Sequence, residues 1–254
     1  MKEPFEPTQS GNPNQFTIRQ HVFPRSAIAR FARNGKVLIF HRDRSKPYGQ
    51  GPKALEFVTL RKWDQNIEKW LATVDGDFAG LTCRYRKVAG DLNPDENGKV
   101  SRFFASWLVR WELQQKESEN VVLNVAARGK PMPADRLPKG LEEQLEEAGV
   151  AFSRDVAGRF TVPSRFLYGD QLVLKVGRLE RELNAKVRWR CSHFDAAVSL
   201  LVPDVPDFAY IPFEPTKCFV GLDSTHTPAG TFLPSDLNGS VKAAHKHFYF
   251  CRPP

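Results

Sequence analysis

Hydrophobic positions along this chain change period, and the change predicts where helices give way to strands. Over residues 63–81 (WDQNIEKWLATVDGDFAGL), Ile67, Trp70, Leu71, Val74, Phe78 and Leu81 recur at spacings of three and four. Over residues 99–113 (KVSRFFASWLVRWEL), Val100, Phe103, Phe104, Trp107, Leu108 and Trp111 do the same. Both stripes predict amphipathic helices whose aromatic rows are core. Residues 140–149 (GLEEQLEEAG) predict a short acidic helix stopped by Gly149, and residues 163–183 a longer one, opened by Ser164 and interrupted by Gly169 and Gly177. From Lys186 the pattern turns β-like: KVRWRC alternates, and VSLLVP, FAYIPF and KCFVGLD are short apolar runs. A last helix is expected around residues 236–250.

The stretch QHVFPRSAIARFARNGKVLIFHR, residues 20–42, parses as a helix, a stop and a strand. Pro24 suits a first helical turn and Asn34-Gly35 a left-handed stop, which predicts a helix over residues 24–33. KVLIFHR then predicts a strand, and RDRSKPYGQGPK an exposed loop. Helix and strand first, helices in the middle and strands late imply an α+β fold, its central helices packed on a mixed or antiparallel sheet built from an N-terminal strand and late strands. Residues 1–15 are polar and read as a flexible lead-in. Residues 16–254 are expected to form one globular domain.

Charge adds a direction. The formal net charge is +8. Residues 1–110 hold 19 Lys and Arg against 11 Asp and Glu, and residues 111–254 hold 18 against 18, so 19 − 11 accounts for the whole excess. Arg19, Arg25, Arg30, Arg33, Lys36, Arg42, Arg44 and Lys46 cluster with one acid, Asp43. Such a field favours a polyanion, and nucleic acid is the expected partner; the plain alternative is a solvated basic face. No apolar run reaches the roughly 18 residues that span a bilayer, so no membrane partner is expected and the cytoplasm is the expected compartment. Cys83, Cys191, Cys218 and Cys251 form no C-x-x-C pair, which argues against a disulfide scaffold or zinc ribbon.

Several separated motifs share an order. His21, Pro24, Arg25, Phe31, Ala32, Gly35 and Lys36 make a His-x-x-Pro opening with a step into a strand. IEKWLATVDGDFAGL carries Asp75-Gly76, FFASWLVRWEL carries Arg110, and VPDVP, IPFEP and SDLNGSVKAAHKHFYF supply Asp204, Pro206, Pro212, Pro215, Asn238 and Ala244. In this order they resemble the bacterial proteins grouped as domain of unknown function 4238. Pro203 and Glu214 stand where that family has serines, and Asp75 where it has glutamate. The resemblance covers nearly the whole chain and implies one domain. It brings no settled activity, so the chemistry is argued from the residues.

His21 ahead of a helix start is expected to stay neutral near pH 7, the form that acts as general base. Arg19 and Arg25 can hold a phosphate, Arg110 can stabilise developing charge, Asp204 can orient the ring or bind Mg²⁺, and Asn238 can position a phosphoryl oxygen. This set implies a nuclease cleaving RNA or DNA, in the manner of a toxin or antiviral-defence effector, with Mg²⁺ as the one cofactor it admits and no nucleotide cofactor. The alternatives are a nucleic-acid-binding protein without catalysis, or a regulatory protein that binds a protein partner or itself through the lead-in and the acidic helix. Equally, His21 can cap the helix at Pro24, Asp204 can close a Pro-flanked turn and Asn238 can cap the start of the last helix. His245, His247 and Cys251, or Cys191 and His193, are weak zinc candidates. Asp223, Ser224 and His226 lack a nucleophile elbow.

Overall fold

In a computed structural model, residues 6–118, 120–123, 138–156, 159–195, 197, 199–206, 208–223 and 233–254 are described. The fold is α+β. Two four-stranded antiparallel sheets carry it. The first orders β10 (Val202–Pro203), β13 (Phe248–Cys251), β2 (Val37–His41) and β3 (Tyr48–Gln50). The second orders β11 (Tyr210–Glu214), β12 (Lys217–Asp223), β9 (Val187–His193) and β5 (Gly90–Asp91). Side chains alternate faces along a strand. Val37, Ile39, Phe250, Trp189 and Phe219 therefore enter one core, whereas Leu38, Phe40, Tyr249, Cys218 and Val220 meet a second.

Helices close both cores. The first core is covered by α1 (Arg25–Arg30), α2 (Gln65–Tyr85) and α3 (Pro94–Gln115), and the second by Leu237 and Val241 of α6 (Pro234–Ala244). The predicted stripes are the buried ones: Leu71, Val74, Phe78 and Leu81 on α2, and Val100, Phe103, Phe104 and Trp107 on α3. Phe78 and Phe103 stack with centroids 3.6 Å apart. Burying each such ring contributes about 2–3 kcal/mol. Side-chain caps fix the starts of α2 and α3, while α5 begins after Pro163 with no side-chain cap, so Ser164 is its first residue and not a capping one. Asp64 accepts from the Asn66 and Ile67 amides, and Asn93 and Glu96 form a reciprocal capping box at α3. A third core joins α2 and α3 to α5 (Ser164–Lys186) through Leu71, Val109, Leu172 and Val176. Gly169 does not interrupt α5. It is the point of closest approach, because a Cβ there would collide with the Asp64 carboxylate and lie 2.7 Å from Ile67 Cγ1.

Two smaller sheets complete the described residues. One pairs β1 (Arg19–His21) with β4 (Val58–Leu60), which follows a 3₁₀ turn at Leu55–Phe57. The other orders β6 (Val121–Leu123), β8 (Arg159–Val162) and β7 (Arg154–Val156), next to α4 (Lys139–Glu147).

Several expectations change here. The first helix ends at Arg30, with Phe31 as its C-cap. Asn34 (φ 53°) and Gly35 (φ 73°) instead form a tight turn bridging Arg33 to Lys36, since two successive positive φ values suit a two-residue hairpin turn better than a helix stop. Part of the expected loop is strand β3. The last helix stops at Ala244, and the aromatic run after it pairs with β2, where stacked Phe40 and Tyr249 reward extension.

The lead-in and the acidic helix meet. Glu142, Glu143 and Glu146 of α4 are buried, Glu143 and Glu146 at 0% exposure, and Glu147 is exposed. Glu143 accepts from the Gln9 amide (2.7 Å), Gln9 Nε2 (3.0 Å) and Asn14 Nδ2 (2.8 Å). Glu146 pairs with Arg61 (2.8 Å) and Arg165 (2.7 Å), Arg154 with Glu142 (2.6 Å), and Glu6 with Lys139, Arg154 and Arg165. Glu6, Gln9 and Asn14 are thus tied to α4 by an ion pair with Lys139 and hydrogen bonds to Glu143. Among the described residues no helix is long and apolar enough to cross a membrane.

Candidate functional site

His21 closes β1, its Cα paired with Val58, and stands three residues ahead of Pro24, the N-cap of α1. Its Nε2 contacts the Pro52 carbonyl oxygen at 3.1 Å. A carbonyl only accepts, so Nε2 carries the proton and Nδ1 keeps its lone pair in the neutral ring. Burial lowers the imidazole below its ordinary value, the charges of Arg25 and Arg110 lower it further, and the Pro52 contact and Asp75 oppose them. The ring is therefore neutral near pH 7, by a different cause from the helix start expected for it.

Arg110 sits beside it, only 2% exposed. Its guanidinium donates to both Asp75 oxygens (3.1 and 2.9 Å), to the Ser106 carbonyl and hydroxyl (3.3 and 3.1 Å), and to the His21 carbonyl (3.4 Å). A buried, bidentate pair of this kind pins α2, α3 and β1 together. Its charge is already balanced by Asp75, which leaves the exposed Arg25 as the cation open to a ligand near His21. Asp75 is the partner that residue-by-residue reading missed; the Asp-Gly pair of the resemblance was the signal for it.

Asp204 and Asn238 do not join this cluster. Asp204 is buried and its two carboxylate oxygens accept the Lys246 and His247 amides (3.1 and 2.8 Å), closing the turn into β13. Asn238 lies inside α6, where Oδ1 accepts the Leu201 amide (2.9 Å) and Nδ2 donates to the Ser199 carbonyl (3.1 Å). Both side chains are spent on backbone groups, so the composite of His21, Asp204 and Asn238 is not assembled. Among the described residues no group of three or more His, Cys, Asp and Glu is arranged to hold a metal.

The predicted phosphate-binding cations behave differently. Arg19, Arg25, Arg33, Lys36, Arg42, Arg44 and Lys46 are exposed. None of them has an ion-pair partner among the described residues, although Arg44 lies over the Tyr48 ring at 4.3 Å. Arg30 is the exception. It is half-buried and donates to Thr82 Oγ1 at 2.5 Å.

Directly after His21, Val22 and Phe23 line a cavity of about 270 Å³. Trp107, Trp111, Phe57, Phe248 and Phe250 form its aromatic walls, and His41, Glu56, Gln114, Gln115, Asp204 and His247 add polar groups. Sequence reading assigned Trp107 and Trp111 to core packing alone. The remaining candidates carry less: His193 contacts the Tyr85 carbonyl at 2.7 Å beside buried Cys191, His245 packs on Tyr249, and Ser224 and His226 lie outside the described residues. Compared with known proteins, the chain matches no family model, no curated protein and no solved structure.

Proposed function

We propose that this protein binds nucleic acid through the cations of its first fifty residues. One observation carries the reading: seven of the eight basic side chains between residues 19 and 46 stand in solvent without a carboxylate partner among the described residues. Exposed, unneutralised cations hold condensed phosphate charge and release its counterions, which is the main source of sequence-independent affinity. The test is binding of labelled single- and double-stranded RNA and DNA as salt is raised. Affinity should fall steeply between roughly 50 and 200 mM salt, and a variant carrying Arg33→Ala, Lys36→Ala, Arg42→Ala and Arg44→Ala should bind at least tenfold more weakly. A flat salt response overturns the reading.

A second reading, phosphodiester cleavage by a toxin-like or defence nuclease, is favoured by His21. A neutral ring whose Nδ1 lone pair is free of the Pro52 contact can take a proton from water or a ribose 2′-hydroxyl, with Arg25 beside it to meet the charge that develops on phosphate. Cleavage lost in His21→Ala while binding survives supports it. Intact RNA and DNA after incubation with wild-type protein, with or without Mg²⁺, removes it and leaves the binding reading standing.

A further inference from the structure

Two histidines, His41 and His247, line the cavity beside α3. They meet because β2 and β13 run antiparallel. His41 is the last residue of β2, its Cα paired with Phe248, and His247 comes just before β13. The Arg42 amide donates to the His247 carbonyl at 2.7 Å and ties the two segments together beyond the sheet. Buried Asp204 accepts the Lys246 and His247 amides (3.1 and 2.8 Å), which fixes the turn that carries His247. The indoles of Trp107 and Trp111 wall the cavity, but their N–H groups are buried without a partner among the described residues and do not open into it.

Hydrogen bonds give the two rings opposite capacities. His41 Nδ1 accepts from the Asp43 amide at 3.1 Å, so in the neutral ring the proton sits on Nε2. The Asp43 carboxylate lies 3.9 Å from the same Nδ1 and can pair with it whenever the ring holds a second proton. His247 Nε2 contacts Gln115 Oε1 at 3.2 Å; an amide oxygen only accepts, so Nε2 carries the proton and Nδ1 keeps a lone pair. One ring is set to give a proton and the other to take one. Charge for a phosphate stands at the rim. Arg42 follows His41 and Lys246 precedes His247, while Arg44 lies over Tyr48 (4.3 Å), whose hydroxyl donates to the lining residue Glu56 (3.0 Å). Arg42, Arg44 and Lys246 are exposed and have no ion-pair partner among the described residues.

We infer that this cavity is a catalytic site at which RNA is cut by transfer of a phosphoryl group to the neighbouring ribose 2′-hydroxyl, with His247 as base and His41 as acid. The 2′-oxygen attacks phosphorus as His247 takes its proton. The bond from phosphorus to the 5′-oxygen breaks as His41, doubly protonated and facing Asp43, delivers a proton to that oxygen. One P–O bond forms and one is lost, and the products are a 2′,3′-cyclic phosphate and a 5′-hydroxyl. Exchange of protons with water resets the two rings, and the rim cations meet the charge that develops on phosphate. The inference rests on the nucleic-acid reading for its substrate and narrows that substrate to RNA, because DNA lacks the attacking hydroxyl. It also places the chemistry at a pair of histidines separate from His21.

The test uses the full chain and three single-stranded probes of one sequence: RNA, DNA, and RNA methylated at every 2′-oxygen. Binding and cleavage are recorded for each in the presence of EDTA. Wild type should bind all three and cut RNA alone, leaving cyclic phosphate ends that mass spectrometry identifies. His41→Ala and His247→Ala should each slow cleavage roughly a hundredfold or more while RNA binding survives. Free imidazole should restore part of the lost rate, which a merely structural defect would not allow. His247 is exposed, so His247→Ala carries the test even if His41→Ala fails to fold. RNA that is bound but left intact overturns the inference and leaves the binding reading standing. Cleavage that survives both substitutions, or that is lost in His21→Ala alone, overturns it as well. Equal cutting of DNA or of methylated RNA removes the 2′-hydroxyl step and with it the inference. No binding of any probe at low salt overturns the inference together with the nucleic-acid reading.

Discussion

Two parts of this molecule are rich in arginine and lysine and use them in opposite ways. Around α4, Arg61, Arg154, Arg165 and Lys139 are paired with Glu6, Glu142 and Glu146, most of them out of water. Between Arg19 and Lys46 almost the same residue types face solvent without a partner. Residue count alone does not separate the two regions; the carboxylates within reach do. The first region has one acid in its own stretch of sequence, Asp43, and its seven exposed cations have no ion-pair partner among the described residues, so its field extends outward. The second encloses its charges, and there they hold the segment before β1 to α4, α5 and β7. Charge that is neutralised inside holds the fold together, and charge left bare is available to a partner.

The largest expected effect comes from breaking the enclosed side. Glu146→Ala removes the acceptor of Arg61, Arg165 and the Gln65 amide (3.2 Å) and strands the buried Arg61, while Arg165 keeps its pair with Glu6. The expected loss is about 3–5 kcal/mol in denaturant unfolding. A loss below about 1 kcal/mol would mean that the knot is ornamental. Acid should act on the same place next. Burial alone would raise the Glu6 carboxyl, but hydrogen bonds from Arg154 and Lys139 and the charge of Arg165 bring it down from 4.5 to about 2. A carboxyl that is lower in the folded state stabilises at pH above about 4.5, and that contribution, about 3 kcal/mol, is lost as pH falls towards about 2. Unfolding measured across this window should show a shallower decline for Glu6→Gln than for wild type, and parallel curves would count against the assignment.

Sharpening the exposed side needs smaller effects. Each of Arg33→Ala, Arg42→Ala and Arg44→Ala should leave unfolding within about 0.5 kcal/mol of wild type, and should lower the slope of log affinity against log salt by up to about 0.9 on duplex DNA. An unchanged slope would mean that the side chain touches no phosphate. Smallest of all is Arg102→Ala, which removes the surface pair with Glu180 (3.0 Å). About 0.5 kcal/mol and no change in salt slope are expected there, which makes it the control for deleting a paired arginine.

How much of this was legible beforehand follows from the range of each interaction. The α2 and α3 stripes could be read because helical burial repeats every three or four residues within one segment. The basic excess before residue 110 could be read by counting. The burial of α4's glutamates could not, because it depends on Arg61, Arg154 and Arg165 from distant positions. β1 is three residues long and too short to show a period, so His21 was read as lying ahead of a helix start but not as part of a strand. Phe248, Tyr249 and Phe250 carried a β signal that the preceding helix pattern obscured. The side chains of Asp204 and Asn238 hold backbone amides and a carbonyl, a use that residue type alone does not distinguish from chemistry. The unpaired indoles left no trace in a sequence where Trp107 and Trp111 already fit a core stripe.

Strand β2 is bordered by β3 on one edge and by β13 on the other, and the pairing of His41 with Phe248 joins residues 207 positions apart (248 − 41). During synthesis the β2 edge that pairs with β13 stays uncovered until residues 248–251 emerge, and pairing across so long a separation is intrinsically slow to form. Because Phe248 and Phe250 also wall the aromatic cavity, that cavity is completed only when the sheet is.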